Sequence, residues 1–336
     1  MTVKQFTTLV TVVSLPFCVY AITRLVAQDN TAMNNQTPNS STEKQSDEEP
    51  APLTSEERRV IVDGGTERAF SGKYWEHFEV GAYACRQCGA LLYHADHKFE
   101  SECGWPSFDN AFNNSVRRLQ DADGIRTEIR CTACDGHLGH VFLGERLTQN
   151  NTRHCVNSIS MTFIPEDELN LETAFFAGGC FWGVEHQLKE LGGVLATTSG
   201  YMGGWKDNPT YREVCTGRTG HAEAVAVLFD PSKISFEDLT RRFFETHDPT
   251  TLNQQGPDVG TQYRSAVYYM SEEQKEATES LIKELEENGY DVVTELEEVV
   301  KFWPGELYHQ DYLDRNPNRP SCHVPVDRFS RGEDFE

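Results

Sequence analysis

Gly178-Gly179-Cys180-Phe181-Trp182-Gly183 joins the end of an expected strand to the first turn of an expected helix, with a cysteine at the turn. Backbone N–H groups at a helix start lower the pKa of a thiol placed there. Phe181 and Trp182 follow directly, so the sulfur would sit beside an apolar cup suited to a soft, methyl-bearing group. An inert cysteine buried in a hydrophobic turn is the competing reading, since free cysteines are commonly buried. A second thiol, Cys155, lies in Arg153-His154-Cys155-Val156-Asn157-Ser158-Ile159-Ser160-Met161, which reads as a strand. Period-two geometry puts Arg153, Cys155 and Asn157 on one side and His154, Val156 and Ser158 on the other. A guanidinium and an amide beside a thiol can stabilise a thiolate and position a polar substrate group. The same alternation suits a structural strand, although Arg is seldom fully buried without a partner. His137-Leu138-Gly139-His140 adds two imidazoles that titrate near neutrality, fit for acid–base work near Cys155 or for ordinary polar contacts.

The remaining cysteines sort by spacing. Cys85-x-x-Cys88 and Cys131-x-x-Cys134 are paired knuckles, followed by Gly89 and by Asp135-Gly136. Two such knuckles can set four thiolates around one Zn²⁺, clipping two distant hairpins together. Structural disulfides, or one redox-active pair, are the other readings in an oxidising compartment. With four protein ligands the metal would be structural, because no position is left open for substrate. Cys103 opens Cys103-Gly104-Trp105-Pro106-Ser107-Phe108, and Cys322 lies near the C-terminus. Cys215 reads as a buried, non-catalytic thiol, and Cys18 is assigned no role.

These groups need two scaffolds. Short alternating strands with many turns over the first half indicate an all-β sandwich or barrel. The second half alternates strands and helices, an α+β domain with a mixed sheet and flanking helices. Thr173 to Ala177 is an expected buried strand, Cys180 opens a helix ending at Gly192-Gly193, and Ala222 to Phe229 is another strand. Ser235 and Asp238 cap a helix through about Glu245, and Ser271 with Gln274 forms a capping box for one ending near Gly289. The joint between the halves, Pro165 to Leu171, is short enough for close packing.

The 336 residues allow about two domains. The formal charge of −23, from 53 acidic against 30 basic side chains, disfavours nucleic acid as a partner. An apolar run from Phe6 to Ile22, after Lys4, suits a signal-peptide core or an N-terminal anchor over residues 1–28. Residues 29–53 are polar and read as a disordered tether. The expectation is an exported or membrane-anchored, extracytoplasmic protein that meets a membrane only through that leader.

Longer motifs carry a family resemblance. Residues 54–165, with both knuckles, GWPSF, HLGHVF and RHCVNSISM, resemble a B-type methionine sulfoxide reductase. Residues 171–336 resemble an A-type enzyme through GGCFWG, GYMGG, NPTYREVCTGRTGHAEAV, HDPTTLNQQGPDVGTQYRSAVY and YHQDYL. Such enzymes reverse methionine oxidation, one per sulfoxide epimer.

The resemblance implies roles. In the A-type half Cys180 would be the nucleophile, Phe181 and Trp182 would hold the substrate methyl, and Glu223 would protonate or bond the sulfoxide oxygen. Tyr201 and Tyr263 would donate to that oxygen, Asp248 would order the site, and Cys322 would resolve the sulfenic acid. In the B-type half Cys155 would be the nucleophile, Cys103 the resolving thiol and Trp105 the methyl-contacting wall. His137, His140, Arg153 and Asn157 would form its polar side. The resemblance further implies R-epimer reduction in the first half, S-epimer reduction in the second, structural zinc without organic cofactor, and a thioredoxin-like dithiol reductant. Two other functions stay open at this level. One is an A-type reductase with a non-catalytic zinc recruitment module. The other is a thiol–disulfide oxidoreductase, which leaves the aromatic cup and Glu223 without a purpose.

Overall fold

Short strands bounded by turn residues build the first half of the chain, which in the computed structural model folds as two antiparallel sheets. The structure describes residues 51–321 and 323–330. The leader, most of the polar tether and Cys322 lie outside the described residues. Helix α1 (Ser55–Ile61) comes first, closed by a capping box between Thr54 and Glu57. Strands β1 (Gly81–Cys85), β2 (Leu91–His94), β3 (Lys98–Phe99), β4 (Ser107–Phe108), β5 (Val116–Gln120), β6 (Thr127–Cys131), β7 (His137–Leu143), β8 (Thr152–Val156) and β9 (Met161–Pro165) follow. They pair as β2-β1-β9 and as β3-β4-β8-β7-β6-β5. Tyr83, Leu92, Tyr93, Phe108, Ile129, Leu138 and Val156 fill the core of this half.

The second half is a mixed sheet. Its strands are β10 (Glu172–Gly178), β11 (Val194–Met202), β12 (Ala222–Phe229), β15 (Ser265–Tyr269), β16 (Glu295–Glu298) and β17 (Trp303–Pro304), with a hairpin of β13 (Gln254–Gln255) and β14 (Asp258–Val259) outside it. The order is β16-β15-β10-β12-β11-β17, and only β15–β16 is parallel. Central β12 is buried along its whole length, which is why it reads as a near-continuous apolar run broken only by Glu223 rather than as an alternation. The helices are α2 (Phe181–Lys189), α3 (Tyr211–Val214), α4 (Phe236–Thr246), α5 (Glu272–Glu287) and α6 (Tyr312–Arg315). Phe181, Val184 and Leu188 of α2, Phe243 of α4 and Leu281 and Leu285 of α5 share a core with Phe176, Val225 and Val227 of the sheet.

The opposite face of that sheet is covered in part by the other half. Phe175, Ala177, Met202, Ala224 and Phe302 cluster with Ala82 and Phe112. The Asn113 N–H donates to the Leu195 carbonyl at 2.6 Å across the same seam. Among the described residues, no helix is long and apolar enough to cross a membrane.

Several expectations change in detail. The strand through Cys155 stops at Val156, and Ser158–Ser160 is a 3₁₀ turn with Asn157 at its cap. Helix α2 ends at Lys189, short of the glycine pair, because the chain must turn into β11. Ser271 caps α5 through the Gln274 N–H, but the Gln274 side-chain oxygen accepts from the Met270 N–H, so the reciprocal half of the box is displaced by one residue. Cys215 is exposed, not buried.

Candidate active sites

Strand register assembles the first site. Cys155 on β8 lies opposite Ser107 on β4 and opposite His140 on β7. His140 in turn lies opposite Glu128 on β6. Cross-strand partners share a face, so Ser107, Cys155, His140 and Glu128 form one row across the sheet. Period two would send His137 and His140 to opposite faces. A register shift where Ile129 pairs with Gly139 and Arg130 with His137 leaves Leu138 as the extra residue. That bulge returns both imidazoles to the same side, their ring centroids 5.6 Å apart. Gly139 is obligatory here, because a Cβ would run into the Cys155 carbonyl.

The pocket over this row has a volume of about 110 Å³ and is lined by Trp105, His140, Phe142, Cys155 and Asn157, with Thr66 and Arg126. The sulfurs of Cys103 and Cys155 are 3.8 Å apart. Cys103 is pulled down to about 4, chiefly by the hydrogen bond from Cys155 and also by the Ser101 and Ser107 hydroxyls. Cys155 is pushed up by that same bond and by burial, against the opposing pull of Arg153. The pair therefore favours the proton on Cys155 and the charge on Cys103. Arg153 finds the partner its burial requires in Glu145, which takes its Nε at 2.7 Å, and it lies over the Phe142 ring at 4.4 Å. His154, on the other side of the strand, bonds Tyr93 and Arg118.

Both imidazoles are held by carboxylates. His137 Nδ1 bonds Glu128 at 2.5 Å, and burial lowers its pKa, which keeps the ring neutral. His140 Nε2 bonds Asp121 at 2.5 Å. Asn157 donates to the Leu138 carbonyl and accepts from the Glu67 N–H. Glu67 is the hidden hub of this site. Its carbonyl receives the Trp105 indole N–H, and its carboxylate receives the Ser158 and Ile159 N–H groups. Asp121, Glu128, Glu145 and Glu67 have no counterpart in the sequence reading. Only their placement in the hairpins and loops facing the imidazoles, Arg153 and Asn157 reveals them.

The knuckles meet at the far ends of β1 and β6. Cys85, Cys88, Cys131 and Cys134 offer four sulfurs all within 4.8 Å of one another. The turns are copies of each other. Gly89 N–H bonds the Cys85 carbonyl and Asp135 N–H bonds the Cys131 carbonyl, and both turn residues have positive φ, 75° and 64°. Separations of 3.6 Å for Cys85–Cys134 and 3.7 Å for Cys88–Cys131 match the edge, about 3.8 Å, of a thiolate tetrahedron around a cation at ~2.3 Å. No position is left for a substrate, so the cluster fits a structural metal.

The second site forms where β10 ends. Cys180 is the N-cap of α2. Tyr201 on β11 lies opposite Glu223 on β12. One Glu223 oxygen receives the Phe181 N–H at 3.1 Å, and the other is buried without a partner. Burial pushes the Glu223 carboxyl up to about 8, so it keeps its proton at neutral pH. Tyr263 is also pushed up, by burial and then by Glu223, with Cys180 among the charges it feels. The Tyr201 hydroxyl donates to Glu306 at 2.7 Å, and Glu306 also holds the Tyr211 N–H. Trp182 stacks on Tyr312 at 3.6 Å, and its indole N–H bonds His309. Phe181 packs against His309 and Tyr211.

Asp248 sits one step back. Its carboxylate caps Thr250, and its N–H reaches the side chain of Gln255, which packs where a Cβ on Gly179 would lie. His323, the residue after Cys322, donates to the Gly178 carbonyl at 2.8 Å and occupies the space a side chain on Gly183 would need. The C-terminal segment thus docks on both flanks of Cys180. Glu306, His309 and Tyr312 were not anticipated, although YHQDYL contains two of them.

Both halves of the chain match known protein families. The peptide methionine sulfoxide reductase family matches residues 172–333, and the SelR domain family matches residues 53–165. A peptide methionine sulfoxide reductase MsrA from Haloquadratum walsbyi is 51% identical over 154 residues, which are 46% of this chain and 88% of that protein. The MsrA of Methanothermobacter thermautotrophicus is 52% identical over 151 residues, covering 44% of this chain and 89% of its own length. Among solved structures, methionine sulfoxide reductase A of Corynebacterium diphtheriae is 38% identical, covers 45% of this chain and 77% of its own, and superposes with a TM-score of 0.42. The chain belongs to the methionine sulfoxide reductases, a SelR (B-type) domain followed by an A-type domain.

Proposed function

We propose that the protein is a bifunctional repair enzyme, reducing the R epimer of methionine sulfoxide in the first domain and the S epimer in the second. One observation carries this reading: each domain brings a cysteine together with a proton-bearing side chain, Cys155 opposite His140 on the neighbouring strand and Cys180 next to Phe181, whose N–H binds Glu223. A sulfoxide sulfur becomes electrophilic when its oxygen is protonated. In the second domain the neutral Glu223 supplies the proton as Cys180 attacks sulfur, with Tyr201 and Tyr263 beside the oxygen and Phe181 and Trp182 around the methyl. In the first domain His140 supplies it, Trp105 holds the methyl, and Cys103 takes the Cys155 proton as Cys155 attacks. The oxygen then passes to the cysteine sulfur as the transient sulfur–sulfur bond and the methionine sulfur–oxygen bond break, releasing methionine and leaving a sulfenic acid on the cysteine. Cys103, or Cys322 in the second domain, then attacks that sulfur; a disulfide forms and the oxygen departs as water. A thioredoxin-like dithiol returns both electrons.

Zinc held by Cys85, Cys88, Cys131 and Cys134 would pin the two hairpins and take no part in the chemistry. We further propose export or membrane anchoring through residues 1–28, which cell fractionation of the full chain checks; a purely cytosolic pool would overturn it. The main test is turnover of separated R and S sulfoxide peptides. Cys155→Ser is expected to lose only R reduction and Cys180→Ser only S reduction. Full R activity in Cys155→Ser would favour the recruitment-module reading instead.

A further inference from the structure

The hairpin between β5 and β6 ends at the first site with more order than a surface turn requires. Asp121, the first residue after β5, receives His140 Nε2 at 2.5 Å and the Arg126 guanidinium at 3.0 Å. Arg126, the last residue before β6, lines the same pocket as Cys155. Asp123 fixes the turn between them. It accepts the N–H groups of Ile125 and Arg126 and the Arg126 Nε at 2.6 Å. The bond to His140 holds the Asp121 carboxyl below the usual carboxylate range, so it stays ionised at neutral pH.

We propose that Asp121 is the positioning residue of the first site: it fixes the His140 ring and supplies the counter-charge for its protonated form. This rests on the reading of His140 as proton donor. Accepting at Nε2 leaves Nδ1 as the ring nitrogen for the sulfoxide oxygen. A neutral imidazole bonded this way has no proton on Nδ1, so the donor is the imidazolium. The charges that bear on the ring come from every neighbouring element. They are Asp121 and Arg126 from the hairpin, Glu128 opposite on β6, His137 on the same strand, and Cys155 on β8 together with Cys103 beside it. Glu128 is engaged by His137 Nδ1 and by Arg130. Asp121 is the carboxylate in hydrogen-bond contact with His140.

The test uses the full chain, with R and S sulfoxide peptides assayed on one preparation. Asp121→Asn keeps an oxygen that accepts from Nε2 but removes the charge. Its kcat on the R peptide is expected to fall about tenfold, part of the roughly 10²–10⁴ that a positioned acid supplies. KM should hold within about twofold, and the alkaline limb of the R profile should move to lower pH. Asp121→Ala should fall further, and Asp121→Glu should recover most of the rate and the profile. S reduction is the internal control and should not change. An unchanged R pH profile and kcat in Asp121→Asn would overturn the proposal. So would equal loss in Asn and Glu variants with a lowered melting temperature, which would mark a merely structural turn. Failure of the underlying reading is distinguishable, because Cys155→Ser would then retain R reduction.

Discussion

On the proposed function, the two sites meet one proton problem by opposite means. In the second domain the proposed donor is a carboxyl taken out of water: Glu223 lies on the fully buried β12, and burial, with a smaller push from Asp258, raises its pKa to about 8. In the first domain the proposed donor is an imidazole, His140, held by the Asp121 carboxylate at 2.5 Å. A buried acid needs a deep apolar sheet. A carboxylate-held imidazole needs only a hairpin that reaches back over its own sheet.

The sharpest way to break this comparison is to exchange nucleophiles for serine. Each single variant should fall to background for one epimer and stay at the wild-type rate for the other, read by chiral peptide assay. Removal of zinc comes next. Cys134→Ser, or a chelator at elevated temperature, should abolish R reduction by unlocking β1 from β6. S reduction at room temperature should survive with a lower melting midpoint. Glu223→Gln should then lower S turnover by about 10²-fold, within the range for a lost general acid. In the wild type, S reduction should decline as pH rises through about 8, because Glu223 is active while protonated and loses its proton there. R reduction should show no limb that follows Glu223, and Glu223→Gln should erase the S limb. Coincident limbs for both epimers in every variant would mean that a shared step, not the two acids, limits both. The smallest effect is Glu67→Gln, which leaves an N–H of Ser158 or Ile159 unpaired. A stability loss of about 1–3 kcal/mol is expected by denaturant titration, with R reduction more sensitive than S.

Residues that do chemistry are more legible in this sequence than residues that hold them. The thiols, the knuckles and Glu223 stand in dense local motifs, and β12 shows as an apolar run from Ala224 to Phe229. Asp121, Glu145 and Glu306 are acidic residues in a chain rich in them, and only folding brings them to His140, Arg153 and Tyr201. The bulge at Leu138 was equally hidden, because one extra residue changes the face of a side chain without changing composition. Cys215 was misjudged because an apolar-leaning residue type says little at the end of a four-residue helix, where the chain turns outward.

Phe112 and Ala82 insert into the apolar face of the second domain's sheet. The two catalysts are therefore welded rather than strung together. A cleavage at the joint would leave each fragment with an uncovered greasy patch, and heating should melt the pair in one cooperative transition. Selection on either activity then acts on the folding of both, so a mutation that loosens one repair function is inherited by the other.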